Sequence, residues 1–133
     1  MGLKDNKQVG KNHHFYQSLF HALNGLRVLL VSERNFRAHS VSALAVLLGA
    51  FLLRASLNDY LWLVLSIFIV LFAETINSIV ERVVDMLVGD RYSELAKEAK
   101  DIAAGGVLLT AFLASVIGLI VFVPLLLKLM PWR

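Results

Sequence analysis

The sequence predicts an all-α membrane protein with three transmembrane helices and an N-terminal amphipathic helix at the membrane surface. Of its 133 residues, 58% are hydrophobic, and the mean hydropathy is +0.70; soluble domains have roughly 45–50% apolar residues. Three apolar runs account for the excess: 41–53, 61–73 and 102–127. A helix needs roughly 20 residues to cross the hydrocarbon core of a bilayer. With their flanks, the runs therefore predict spans over about residues 39–57, 60–88 and 100–127.

Basic residues are distributed unevenly around these predicted spans. Six Lys and Arg precede the first span, four lie from Arg82 to Lys100 around the connection of the second and third spans, and three occur elsewhere. An excess of Lys and Arg is typical of cytoplasmic loops. We therefore expect a bacterial inner (cytoplasmic) membrane protein with a cytoplasmic N-terminus and an outside C-terminus. The formal charge of +3 follows this topology, and we expect no nucleic-acid partner.

The N-terminal part of the chain is more polar than the spans. Residues 1–12 are polar and basic, and we predict that they are disordered. Residues 14–31 alternate polar and apolar positions at helical spacing, which predicts an amphipathic helix in the cytoplasmic interface. A soluble helix packed on a partner is the alternative. Residues 13–130 are then expected to form one membrane-embedded domain.

The connections between the elements are predicted from polar and turn-forming residues. Residues 32–39 are predicted to be a charged hinge into the first span, and residues 57–59 (Leu-Asn-Asp) a tight outer turn. A Gly-Asp pair at 89–90 indicates the end of the second helix. Small residues at 103–106 predict close packing of the third span against another helix.

Glu74 lies in the middle of an otherwise apolar stretch, and Asn77, Glu81 and Asp85 follow it. Steps of three, four and four residues place these polar groups on one helix face. A carboxylate at membrane depth costs about 3 kcal/mol on insertion scales, so Glu74 is predicted to be functional. At 1.5 Å per residue, Glu74 lies about 20 Å from an outer boundary at Leu61. The acids thus descend from hydrocarbon into the cytoplasmic headgroup layer.

Carboxylates at the cytoplasmic boundary are suited to Mg²⁺. This ion prefers oxygen ligands and is usually bound by one or two carboxylates together with substrate phosphates. Glu81 is the first candidate ligand, and Glu33, in the predicted hinge, is the best second carboxylate at the same depth.

Charged residues before the third span are candidates for phosphate binding. Lys97 and Lys100 lie at the matching depth and are suited to hold phosphate as point charges, with Asp101 orienting Lys100 or binding metal. The alternative is that the charges of 94–101 form only a solvated helix face. For Asn77, the alternative is a hydrogen bond that only joins helices.

The soluble phosphate-binding signatures are missing from the sequence. Neither GxxxxGK[ST] nor GxGxxG is present, which excludes a P-loop and a Rossmann site. The chain has no cysteine, and its four histidines lack metal-ligand spacing. The residues therefore predict an acidic site at the cytoplasmic interface that binds metal and phosphate, without naming a reaction.

Three segments of the sequence resemble a known family, and this resemblance implies a particular reaction. The run AETINSIVERVVD at 73–85 resembles the signature helix of the bacterial diacylglycerol kinase and undecaprenol kinase family, and AKEAKDIAAG at 96–105 resembles its second motif. ERNFR at 33–37 is similar to the segment before its first span. The resemblance implies a small, homotrimeric integral-membrane kinase. It would transfer the γ-phosphate of ATP to the hydroxyl of a membrane lipid alcohol.

The same resemblance implies separate roles for the site residues. Glu74 would be the general base and, with Asn77, would bind the acceptor. Mg²⁺ with ATP would be held by Glu33 and Glu81. The other nucleotide contacts would be Lys100, Asp101 and, more weakly, Tyr92 and His21.

The chain departs from the family pattern in two places. Tyr92-Ser93 stands where relatives commonly have Tyr-His, and His14 and His21 stand where some relatives carry arginine and tyrosine. The motif that ends at His39 looks more like the undecaprenol branch, so undecaprenol is the first expected acceptor and diacylglycerol the second.

Two other classes of function are compatible with a buried glutamate. One is a small ion- or proton-coupled transporter in which Glu74 titrates. The other is a structural subunit whose acids pair with the cations of a partner. The transporter hypothesis gives no role to Lys100 and Asp101.

Overall fold

The computed structural model describes residues 15–129, and this part of the chain consists of four α-helices in sequence order. They are α1 (Phe15–Ser32), α2 (Arg34–Leu52), α3 (Leu57–Val88) and α4 (Glu94–Leu127). By length and composition, α2, α3 and α4 can each cross a membrane, which confirms the all-α, three-span prediction. The predicted disordered segment 1–12 lies outside the described residues.

The two longest helices exceed the thickness of a bilayer core. With 32 residues in α3 and 34 in α4, a rise of 1.5 Å per residue gives lengths of about 48 and 51 Å. A hydrocarbon core is about 30 Å thick. Parts of both helices therefore extend into the polar layers. The two predicted motifs lie on different helices, 73–85 toward the end of α3 and 96–105 at the start of α4.

The predicted hinge over 32–39 is much shorter in the structure. Only Glu33 interrupts the helices, with an extended backbone of φ −99° and ψ 111°, and α2 begins at Arg34 rather than at residue 39. Residues 34–38 contain no Gly or Pro to break a helix, and polar residues are compatible with a helix end outside hydrocarbon. The wrong expectation came from equating the polar segment with a loop.

The turn between α2 and α3 lies earlier than predicted. Residues 57–59 form the first turn of α3, and α2 ends at Leu52 rather than at residue 57. Ser56 is the N-cap: its Oγ accepts a hydrogen bond from the Asp59 backbone at 3.2 Å, and Asp59 Oδ2 accepts one from the Ser56 backbone at 2.9 Å. Such a reciprocal capping box starts a helix, so the Asn-Asp pair belongs to α3. Arg54 turns the chain at a positive φ of 53°.

Glycine ends α3 where the sequence predicts it. Gly89 has φ 57°, a left-handed backbone that costs glycine little. The Ser93 side chain then accepts from the Ala96 backbone and caps α4.

Helix α3 is the centre of the fold, because it packs against both α2 and α4, whereas α1 packs against α2. The apolar core is a small cluster near the α2–α3 turn, formed by Ala50, Leu63, Val121 and Leu125. Helix α2 lies close to α4 at Gly49, where a Cβ would be in van der Waals contact with the Phe122 ring at 3.4 Å. Close packing at 103–106 is not made within the described residues, because a Cβ at Gly105 or Gly106 would meet no atom within 4 Å.

Candidate active site

Glu74 is almost completely enclosed. Its side chain is 4% exposed, and its Oε1 lies 3.3 Å from Nε2 of His39 on α2, a side chain that is 32% exposed. The early start of α2 makes this contact possible, because it places His39 in the second turn of that helix. A carboxylate on α3 and an imidazole on α2 therefore lie against each other where the two helices pack.

Asn77, one turn after Glu74, is also buried. Its Nδ2 donates a hydrogen bond of 2.8 Å to Glu81 Oε1. Within residues 15–129 its Oδ1 has no hydrogen-bond partner. Leaving a buried acceptor unpaired costs about 1–3 kcal/mol. Asn77 thus orients Glu81 with one end of its amide and presents an unused oxygen with the other.

Glu33 connects the α1–α2 junction to α3. Its Oε1 accepts a hydrogen bond of 2.6 Å from Nη2 of Arg82, and the two residues are 49 positions apart in sequence. Arg82 directly follows Glu81 in α3, so this bond places Glu33 beside the helix that carries Glu74 and Glu81. In the described part of the chain, no set of three or more His, Asp or Glu residues is arranged to hold a metal ion.

A second group of predicted residues surrounds the α3–α4 connection. Here lies a cavity of about 410 Å³, the loop cavity, whose charged and polar lining consists of Asp85, Asp90, Arg91, Tyr92, Ser93, Lys97, Lys100 and Asp101. Apart from the glutamates, the predicted nucleotide contacts are Tyr92, Lys100, Asp101 and His21. The first three therefore share one concave surface. His21 is exposed on α1, where its ring contacts Phe20 edge-on, and it does not line this cavity. His14 lies outside the described residues.

The ion pairs of the loop cavity differ from the expected ones. Lys100 Nζ lies 2.6 Å from Asp85 Oδ1, and Lys97 Nζ lies 2.5 Å from Asp101 Oδ2. Asp101 thus pairs with the lysine one turn earlier and does not orient Lys100. Asp85, which had no predicted role, holds Lys100 instead. Helix neighbours i and i+4 face each other, whereas adjacent residues do not.

Tyr92, which lines the loop cavity, has its hydroxyl fixed by a hydrogen bond. The hydroxyl donates to the Glu94 carboxylate. This bond raises the pKa of Tyr92, because it stabilises the protonated phenol. The hydroxyl therefore remains a donor throughout the neutral range.

A second cavity, which the sequence did not predict, lies between α2, α3 and α4. This bundle cavity has a volume of about 330 Å³, and its lining is mostly apolar, with Ser42, Ser66 and Ser115 among its polar residues. His39 lines it as well, so the imidazole contacts both the cavity and Glu74. Periodicity within one helix cannot reveal such a space, because its walls come from three helices.

Comparison with known proteins identifies the family. Residues 20–122 match the family model described as prokaryotic diacylglycerol kinase. The chain belongs to this family. It is similar to an undecaprenol kinase of Bacillus subtilis, with 38% identity over 83% of this chain and 89% of the relative. A diacylglycerol kinase of Synechocystis is 41% identical over 85% of this chain and 65% of its own length. A diacylglycerol kinase of Escherichia coli is 33% identical over 69% of this chain and 75% of the relative.

Family membership confirms the predicted class of enzyme. The chain is a membrane lipid kinase, and a kinase takes its phosphoryl group from ATP. The transporter alternative is not supported. The glutamates and the loop cavity are therefore considered below as parts of a phosphotransfer site.

Proposed function

We propose that this kinase phosphorylates undecaprenol at the cytoplasmic face of the bacterial inner membrane, with diacylglycerol as the second candidate acceptor. The observation that carries the proposal is the enclosed Glu74, with His39 between it and a mostly apolar cavity. A base in this position is suited to a hydroxyl attached to a hydrocarbon chain. The relative named undecaprenol kinase is matched over 89% of its length, and this supports undecaprenol as the first choice.

Glu74 acts in this proposal as the general base. It takes the proton from the acceptor hydroxyl as the hydroxyl oxygen attacks the γ-phosphorus of ATP and ADP leaves. A well-placed base typically accelerates such a step about 10²–10⁴-fold. Asn77 positions the acceptor, because its unpaired Oδ1 is available to accept a hydrogen bond from a hydroxyl.

Glu33 and Glu81 are the proposed ligands for Mg²⁺ together with ATP. The donor set fits this ion, which usually takes one or two carboxylates and completes its shell with phosphate oxygens and water. Each of the two carboxylates uses Oε1 in the contacts described, and each has a second oxygen. When bound, the ion would neutralise phosphate charge during transfer.

The loop cavity is the proposed site for the rest of the nucleotide. Lys100 is suited to pair with a phosphate once it leaves Asp85, because an exposed ion pair is weak. Asp101 and Tyr92 line the same cavity and supply hydrogen-bond acceptors and a donor. His21 is proposed as a further contact on the strength of the family resemblance.

The proposed assembly is a homotrimer with a cytoplasmic N-terminus and an outside C-terminus. Most apolar side chains of α4 are exposed, and the small residues at 105 and 106 have open space beside them. Both features support contact between α4 and a helix of a neighbouring subunit. Helix α1 is proposed to lie along the cytoplasmic surface as an amphipathic helix, since nearly all of its side chains are exposed.

The proposal is tested with purified protein in mixed micelles containing Mg²⁺ and ATP labelled at the γ-phosphate. Undecaprenol should become labelled faster than diacylglycerol, and chelation of Mg²⁺ should stop both reactions. Faster labelling of diacylglycerol would reverse the order of the acceptors. Absence of label in either lipid, with the trimer shown to be intact, would reject the proposed reaction.

A further inference from the structure

His39 is the side chain that lies against the enclosed carboxylate. Glu74 is 4% exposed, whereas His39 is 32% exposed in the single chain and lies 3.3 Å away. The polar groups of α3 on either side of Glu74 have other partners: Asn77 bonds Glu81, and Thr75 bonds the Leu71 carbonyl. Of these neighbours, His39 is thus the one suited to take a proton from Glu74.

The proposed reaction leaves such a proton behind in every cycle. When the acceptor O–H bond breaks and the new O–P bond forms, the proton passes to Glu74, and the bond between the γ-phosphorus and ADP breaks. Glu74 must lose this proton before it can act again. Since the carboxyl is sealed from water, direct release to solvent is hindered.

We propose that His39 is a positioning residue for Glu74 that also relays its proton to cytoplasmic water. The neutral imidazole orients the carboxylate toward the acceptor hydroxyl. It then takes the proton from Glu74, releases a proton to water and returns to its neutral form. An imidazole is suited to this task, because one ring nitrogen can accept a proton while the other donates one. The inference rests on the proposed role of Glu74 as the base.

On α3, the ionisable group that contacts His39 is Glu74. The α4 residues that line the bundle cavity beside it, such as Ala111, Ser115 and Gly118, are uncharged. On its own helix, Arg37 is held by the carbonyls of Leu30 and Val31 at the end of α1.

The relay is tested with His39→Gln and His39→Ala, assayed for kcat across a range from mildly acidic to mildly alkaline pH. The side-chain amide of glutamine can donate a hydrogen bond to Glu74 but cannot carry a proton. We expect kcat of His39→Gln to fall at least about tenfold, a small part of what acid–base catalysis contributes, with KM for ATP unchanged. The acidic limb of the wild-type kcat profile should change shape in this variant. Added imidazole should restore part of the activity of His39→Ala and none of that of Glu74→Gln.

The controls separate this inference from the proposed function. Thr110→Ala removes a hydroxyl that bonds only the Val107 carbonyl on α4, and it should keep the wild-type rate and pH profile. A wild-type kcat and pH profile in His39→Gln would overturn the relay, and so would a folded His39→Ala that imidazole does not stimulate. If His39→Ala does not fold, the pH profile of His39→Gln decides alone. An active Glu74→Gln would reject the base itself, whereas an inactive Glu74→Gln with normal His39 variants would reject only the relay.

Discussion

The polar groups around Glu74 and those of the loop cavity are built in opposite ways. Glu74, Asn77 and Ser78 are buried, and the first two have fixed neighbours on α2 and α3. The ion pairs of Asp85 with Lys100 and of Lys97 with Asp101 are exposed, and such pairs contribute only about 0–1 kcal/mol each. The buried groups are therefore held in one geometry, while the exposed charges can exchange partners at little cost.

This difference corresponds to two parts of a phosphotransfer reaction. Removal of a proton requires a base at a defined place in an environment from which water is excluded. Capture of a nucleotide from the cytosol requires charges that water and ions can reach. Changes in the buried group should therefore act mainly on kcat, and changes in the loop cavity mainly on KM for ATP.

The largest effect is expected for Glu74→Gln, which keeps the shape of the side chain but removes its basicity. We expect kcat to fall about 10²–10⁴-fold, with ATP affinity close to that of the wild type. Phosphorylation rates and nucleotide binding by calorimetry measure the two quantities separately. A variant with normal kcat would show that another group takes the proton.

The sequence was sufficient to predict Glu74 because the signal is local. A charged residue within a long apolar stretch has few structural explanations, and the structure confirms its burial. The three spans could be predicted for the same reason, since length and hydropathy are properties of continuous segments. The helix ends were less well predicted, because the Ser56–Asp59 capping box and the single-residue break at Glu33 depend on local hydrogen bonds and backbone angles.

Contacts between helices could not be predicted from one sequence. In the sequence His39 was noted as the end of a motif that resembles the undecaprenol branch, and its position against Glu74 depends on how α2 packs on α3. The partners of Lys100 and Asp101 were assigned from adjacency in sequence, whereas helical geometry turns neighbouring side chains about 100° apart. The bundle cavity has no signal in any single helix.

A smaller effect is expected for Glu81→Gln, which tests how far the buried geometry extends toward the nucleotide. The amide oxygen of glutamine can still accept the hydrogen bond from Asn77, so the local structure should be retained. Loss of one negative charge should raise the Mg²⁺ concentration needed for half-maximal rate by about tenfold, since affinity for a hard cation follows the charge of its ligands. Titration of the rate with Mg²⁺ at saturating ATP measures this shift. An unchanged Mg²⁺ requirement would remove Glu81 from the proposed metal ligands.

Lys100→Ala tests the exposed charges of the loop cavity. We expect KM for ATP to rise about tenfold, the equivalent of one charged hydrogen bond, while kcat changes little. The matched control is Lys128→Ala, because Lys128 lies at the other end of α4 and its removal should leave both constants unchanged. A fall in kcat without a change in KM would mean that Lys100 contributes to the chemical step rather than to binding.

The smallest effect on activity is expected at the end of the bundle that carries the capping box. Ser56→Ala removes the hydroxyl that accepts the Asp59 backbone hydrogen bond, and loss of an N-cap typically costs about 1 kcal/mol. The thermal midpoint of the purified protein should therefore decrease, while kcat and KM for ATP should equal those of the wild type. Ser56→Thr, which keeps a capping hydroxyl, should retain most of the stability. Reduced kcat in a folded Ser56→Ala would show that the α2–α3 turn is coupled to the position of Glu74, because α3 joins the two as one continuous helix.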